Sequence, residues 1–189
     1  MHSTHGAHMK VRTVKSRHQA GLTLIESLMA LAVVGVLLGS VLPAFGTALE
    51  RRHLEGAAAQ LKTDIQYTRS QAVAANEPLR MRFQQHATGS CYVVHNGPAQ
   101  ACSCLPDGSA SCGSDGQSYR SVGFAREGSV QLQSNVNTIL FSPHLGTITP
   151  AGTLRLTGRE ARTVQVVVNL MGRVRTCSPG ASVTGYAAC

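Results

Sequence analysis

Residues 27–49 carry no charged side chain, and a single carboxylate, Glu26, stands at the head of that run. Four basic residues (Lys10, Arg12, Lys15, Arg17) precede it, and no acid does. A helix needs about 20 apolar residues to cross the hydrocarbon core of a bilayer, so the run is long enough to span. The basic flank holds that end in the cytoplasm and sends the rest of the chain outward. An ordinary secretory signal has a shorter apolar core ending in a small-residue cleavage site. Here the run is too long, and the basic segment leads directly into Gly21 and Leu22. The expectation is a retained, single-pass membrane helix. A carboxylate at its head is costly unless something partners it; the alternative is that Glu26 snorkels to the interface.

The order Gly21-Leu22-Thr23-Leu24-Ile25-Glu26, a glycine with glutamate five residues on, resembles the class III signal of type IV prepilins and type II secretion pseudopilins. The resemblance implies that a dedicated membrane peptidase cuts between Gly21 and Leu22 and methylates the new N-terminus. Leu22 stands where phenylalanine is usual. Glu26 then becomes the fifth mature residue, and its expected partner is the free amine of a neighbouring subunit in the filament core.

Cleavage removes a leader (1–21) with four of the 17 basic residues and none of the nine acids, leaving a net charge of +4 on the mature chain rather than +8. Lys62 is its only lysine. The leader's histidines (His2, His5, His8, His18) are a neutral extension, and Met9 is an alternative start. Within the run, Pro43 either bends the helix, as in related pilins, or marks its end.

Past Arg52, apolar positions Leu54, Ala58, Leu61, Ile65 and Ala72 recur at helical spacing and give one stripe. Arg51, Arg52, Glu55, Lys62, Asp64 and Arg69 mostly fall on other faces. Pro78 sets the helix end near Asn76. The segments are therefore 22–49 for the membrane or filament-core half of one helix, 50–76 for its amphipathic half, and 77–189 for an external domain. From Pro78 the period changes to two, beginning with Leu79-Arg80-Met81-Arg82-Phe83. Further strands are expected at 90–95, 119–125, 129–133, 138–142, 152–157, 163–169 and 172–177, with glycines between them. Short strands and short turns predict antiparallel hairpins in two sheets, hence an α+β fold. With no Trp and eight Phe or Tyr, the core is expected to be Val, Ile and Leu.

The run from Tyr67 to Asn76 before Pro78 resembles the helix end of GspH/FimT minor pilins. The stretches Ile139-Leu140-Phe141-Ser142-Pro143, 146–152 and Gly172-Arg173-Val174-Arg175 are similar to the C-terminal half of that group's domain. The segment 96–118 diverges.

All six cysteines (Cys91, Cys102, Cys104, Cys112, Cys177, Cys189) lie beyond the apolar run, in an oxidising compartment, and so are expected as disulfides. The resemblance pairs Cys177 with Cys189. Cys102 and Cys104 sit too close to pair with each other, so each takes Cys91 or Cys112. A four-cysteine zinc site is the competing arrangement, disfavoured by the C-x-C spacing. His95 and His144 are expected as surface or turn residues. No nucleophile elbow, phosphate loop or metal motif is present, so neither catalysis nor a cofactor is expected.

The resemblance implies a minor pilin or pseudopilin with these partners: other major and minor subunits, the prepilin peptidase, the inner-membrane assembly platform and the membrane. The domain would lie in the periplasm, or at the cell surface in a pilus. Some FimT-type pilins bind DNA through Gly-Arg-x-Arg, which Gly172, Arg173 and Arg175 match. Alternation puts both arginines on one strand face, with Val174 turned inward and Gly172 permitting the turn. Two guanidiniums a strand step apart can meet successive phosphates, and Arg159 and Arg162 are expected to extend the patch. The plainer alternative is a charged hairpin edge that discourages sheet association. The signal and fold are shared by type IV pili and type II secretion.

Overall fold

The structure, a computed structural model, describes residues 23–189, without the side chains of 40–45. The expected cleavage point at Gly21 and Leu22 and the leader lie outside the described residues. The chain divides into two units, Met1–Leu42 and Pro43–Cys189, which are taken in turn. Helix α1, Leu24–Ala75, passes from one to the other, so it does not end at Pro43.

In the first unit α1 starts at a cap. Glu26 N–H donates to the Thr23 hydroxyl at 3.3 Å, and Ser27 N–H bonds the Thr23 carbonyl at 3.1 Å. The order Thr-x-x-Glu is a capping-box pattern that satisfies orphan amides, and a carboxylate in the first turn suits the positive helix pole. Leu24, Ile25, Leu28, Met29, Leu31, Val33, Val34, Val36, Leu37 and Leu38 are all exposed. An apolar helix bare on every side needs lipid or other helices around it. Among the described residues no helix is long and apolar enough to cross a membrane; positions 40–45, inside the uncharged run, supply no described side chains.

In the second unit the expected stripe is buried: Leu54, Ala58, Leu61, Ile65 and Ala72 are each at most 1% exposed. Asp64 and Thr68 are buried with them, so Asp64 belongs to the packed face rather than to an outer one. The helix stops at a Schellman motif. Asn76 takes φ +51°, its N–H bonds Val73 O, and Glu77 N–H reaches back to Ala72 O. Pro78 follows and cannot continue the helix.

Eleven antiparallel strands follow: β1 Leu79–His86, β2 Gly89–His95, β3 Cys102–Cys104, β4 Ala110–Cys112, β5 Ser118–Ala125, β6 Val130–Ser134, β7 Thr138–Phe141, β8 Ile148–Thr149, β9 Gly152–Gly158, β10 Thr163–Val168 and β11 Val174–Cys177. One sheet has the order β5-β2-β1-β7-β8 and another β11-β10-β9-β6; β3 and β4 form a separate hairpin. The helix stripe and the inner faces of both large sheets share one core, with Leu132, Leu154, Leu156, Val164 and Val166 from the second sheet meeting Met81, Ile139 and Phe141 from the first.

All seven residues of β2 are buried. The helix side explains Tyr92 and Val94; the β3–β4 hairpin covers Cys91 and Val93 on the opposite face. Disulfides Cys91–Cys104 and Cys102–Cys112 fasten that hairpin, and Cys177–Cys189 ties the tail to β11; no cysteine is left for a metal. The polar side of β1 meets the hairpin backbone. Arg82 Nη1 donates to Cys102 O at 2.9 Å, Gln84 Oε1 accepts from Cys104 N–H at 2.6 Å, and His86 Nε2 lies 2.9 Å from Cys104 O. His95, expected at the surface, is buried at the end of β2. Its Nδ1 is 2.8 Å from Asn96 O, while Nε2 has no partner. Burial pushes its pKa down against the opposing Asn96 hydrogen bond, and the nearby Arg80 and Arg82 also lower it.

Candidate functional site

The β10–β11 hairpin pairs Val168 with Val174 and Val167 with Arg175. The five residues 169–173 join the two strands, and Gly172 takes the left-handed backbone of this turn at φ +76°. Its N–H bonds Asn169 O at 2.9 Å. The Asn169 side chain accepts from Arg173 N–H at 2.8 Å and fixes where the outgoing strand begins. Val174 is half-buried against the core, while Arg173 and Arg175 are exposed on either side of it. Arg173 belongs to the connection and only Arg175 to β11, so the strand expected from Gly172 begins two residues later, at Val174. β11 is the edge strand of its sheet, and both side chains are exposed. Among the described residues neither guanidinium has an ion pair or a hydrogen bond.

Arg159 and Arg162 do not extend this patch. They lie in the β9–β10 turn, at the Thr163 end of β10, whereas Arg173 follows the Val168 end. Successive hairpin turns fall at opposite ends of their shared strand, here about 17 Å apart along β10. Both are also occupied: Arg159 Nη2 donates to Glu127 O at 2.9 Å, and Arg162 Nη2 pairs with Glu160 at 2.6 Å.

Arg69, from the helix, takes their place beside the motif. Its Nε donates to Gly146 O at 2.6 Å, and it packs so closely on Gly172 that a Cβ there would meet Nε at 2.6 Å. Arg69, Gln66 and the exposed His144 line an open cleft of about 600 Å³ that Gly172 borders. The turn itself exposes Leu170 and Met171. The sequence signal for Arg69 is its one-turn offset from Ile65 on the helix wheel, which gives its face but not its contact with two glycines 77 and 103 positions on. Glu26 sits at its cap in the other unit, far along the chain from this hairpin.

Residues 57–172 match the family model described as Type II transport protein GspH, and residues 16–42 match the prokaryotic N-terminal methylation motif. Competence protein ComGD of Bacillus subtilis is 31% identical over 72 residues, 38% of this chain and 50% of that protein, so the chain spans about half the length of the curated relative it matches. The type IV minor pilin FimU of Pseudomonas aeruginosa superposes with a TM-score of 0.51 at 18% identity, over 69% of this chain and 95% of that one. The minor pseudopilin EpsH from the type 2 secretion system of Vibrio cholerae gives 0.47 at 11% identity, over 67% and 97%. The FimU likeness shows a shared fold: one N-terminal helix on antiparallel sheets. With more than half of its length matched by the family model, the chain belongs to the GspH family and carries the prokaryotic N-terminal methylation motif.

Proposed function

We propose that the chain is a minor pilin or pseudopilin subunit, built with others into a type IV pilus or a type II secretion pseudopilus, and that its β10–β11 hairpin captures extracellular DNA. The peptidase cuts after Gly21 and methylates Leu22. The apolar half of α1 anchors the subunit in the inner membrane, N-terminus inside and domain outside, until the assembly platform adds it to the filament. The exposure of every large apolar side chain from Leu24 to Leu38 supports a lipid or helix-bundle setting. Glu26 meets a neighbour's amine there.

The observation that carries DNA capture is the pair of unpaired guanidiniums, Arg173 and Arg175, on the β10–β11 edge hairpin. Their spacing suits neighbouring phosphates, and such contacts give salt-dependent affinity without sequence preference. The likeness to a competence protein is in keeping with this reading. The alternative is a GspH-type export pseudopilin that binds no DNA, favoured by Leu170 and Met171, whose exposure at the turn suits a protein contact. The test is titration of the chain with short duplex DNA at several salt concentrations, beside an Arg173→Gln, Arg175→Gln double variant. Salt-dependent binding lost in the variant supports capture. No wild-type binding at low salt leaves the export pseudopilin.

A further inference from the structure

On the other flank of the helix end from Arg69, a small cavity of about 40 Å³ opens between α1, β1, β2 and β5. Its floor is apolar, with Leu79 and Val94 both buried. Tyr67 and Tyr119 line it, and they are two of only four tyrosines in the chain. Both are about half exposed, at 52% and 49%. Aromatic side chains usually bury themselves; here half of the tyrosines are spent on one surface opening.

Glu77 lines the same cavity. Its carboxylate accepts from Asn96 Nδ2 at 2.8 Å and from the Tyr119 hydroxyl at 3.5 Å, while Asn96 Nδ2 also lies 3.4 Å from that hydroxyl. These neutral donors hold it in place without discharging it, and among the described residues Glu77 has no cationic partner. Arg120, the nearest arginine in sequence to Tyr119, is committed to Asp64. The phenol of Tyr119 is pushed up, first by burial and then by the Glu77 charge. The cavity also flanks the C-terminal end of a 52-residue helix with no basic residue in its last turn. That end carries the negative pole, which favours a cation.

Two aromatic rings, an undischarged carboxylate and a helix C-terminus converge on this one small opening. Rings attract cations placed over them, and the volume suits a compact ammonium rather than the planar fork of an arginine. We propose that this cavity receives the ε-ammonium of a lysine from a partner polypeptide, making the Tyr67–Glu77–Tyr119 surface a docking point for another protein. A second copy is a poor source, because Lys62 is the only lysine beyond residue 15.

The test uses the full chain in detergent micelles with ¹³C-labelled tyrosine, whose four ring signals are separately assignable. The probe is Nα-acetyl-lysine methylamide, with its Nε-acetylated form and the arginine analogue as controls. The expected result is a saturable shift of the Tyr67 and Tyr119 signals, with Tyr92 and Tyr186 unmoved and no response to the acetylated form. Glu77→Gln should weaken the response about fivefold or more while leaving the Tyr92 and Tyr186 signals in place, which shows that the variant is folded. Tyr67→Ala, on the exposed helix face, should weaken it independently. No shift up to about 100 mM probe, near the weak limit of measurable affinity, overturns the site. So does an equal response to the neutral form or an unchanged affinity in Glu77→Gln. An equal response to the arginine analogue overturns the lysine assignment.

Discussion

The Tyr92 hydroxyl donates to Asp64 Oδ2 at 2.6 Å, and Arg120 Nε reaches the same oxygen at 2.7 Å. One buried carboxylate thus joins the helix to β2 and β5. Arg120 is half-exposed and regains water when the pair is broken; Tyr92 is sealed and cannot. Asp64→Ala should therefore cost about 2 kcal/mol, mostly at the orphaned hydroxyl, and Tyr92→Phe about 1 kcal/mol. Urea unfolding with the disulfides intact checks both.

Stability should fall on the acid side through His95. Its folded-state pKa is lowered by burial, so its contribution is present above the ordinary value of 6.5 and is lost as the pH drops below it. Urea midpoints at pH 7.5 and pH 5 should differ in the wild type, and His95→Phe should reduce that difference. Tyr92 works at the other extreme. Burial, then the Asp64 bond, raises its pKa, so its contribution is full below about 10 and declines above.

The two arginine pairs should separate in DNA binding. Arg173→Gln with Arg175→Gln should lower the salt slope of the binding constant by about two phosphate contacts. Arg159→Gln with Arg162→Gln should leave it unchanged, because those side chains serve another hairpin end and hold Glu127 and Glu160. Equal losses from both pairs would mean diffuse surface charge.

Gly172→Ala places a methyl group against Arg69 at a positive φ. The strain and the displaced Arg69–Gly146 bond should cost about 2 kcal/mol or more, and DNA affinity should drop although no charge is lost. Thermal unfolding and the same titration measure the two effects.

Glu26→Val should be processed by the peptidase yet fail to enter filaments, since the apolar substitution keeps membrane insertion and removes the partner for a neighbour's amine. Mass spectrometry of the mature chain and immunoblotting of sheared filaments distinguish the two steps. A bulky residue at Gly21 should leave the leader attached.

Much of this fold was legible because its signals are periodic. The Leu54-to-Ala72 stripe and the alternation from Leu79 each identify a face and an element, and the strands from β5 to β7 and from β9 to β11 lie where hydrophobic runs meet glycines. Strands β3, β4 and β8 were not legible: two or three residues cannot show a period. Asp64 and His95 misled for a related reason. Polarity indicates solvent only when no partner waits inside, and partners such as Tyr92 for Asp64 are set by tertiary structure. For Arg159 and Arg162, chain proximity to the Gly172 hairpin was mistaken for spatial proximity, whereas the length of β10 separates them.

The sealing of β2 between helix and stapled hairpin has a kinetic consequence. Its amide protons have no local opening that admits water, so they should exchange only in whole-domain unfolding and be the slowest in the chain. Cutting Cys91–Cys104 and Cys102–Cys112 by reduction would free the cover without touching the helix side. Cys91 and Val93, on the face that loses its cover, would then label first, turning one strand into an isotopic record of the redox state its surroundings have held.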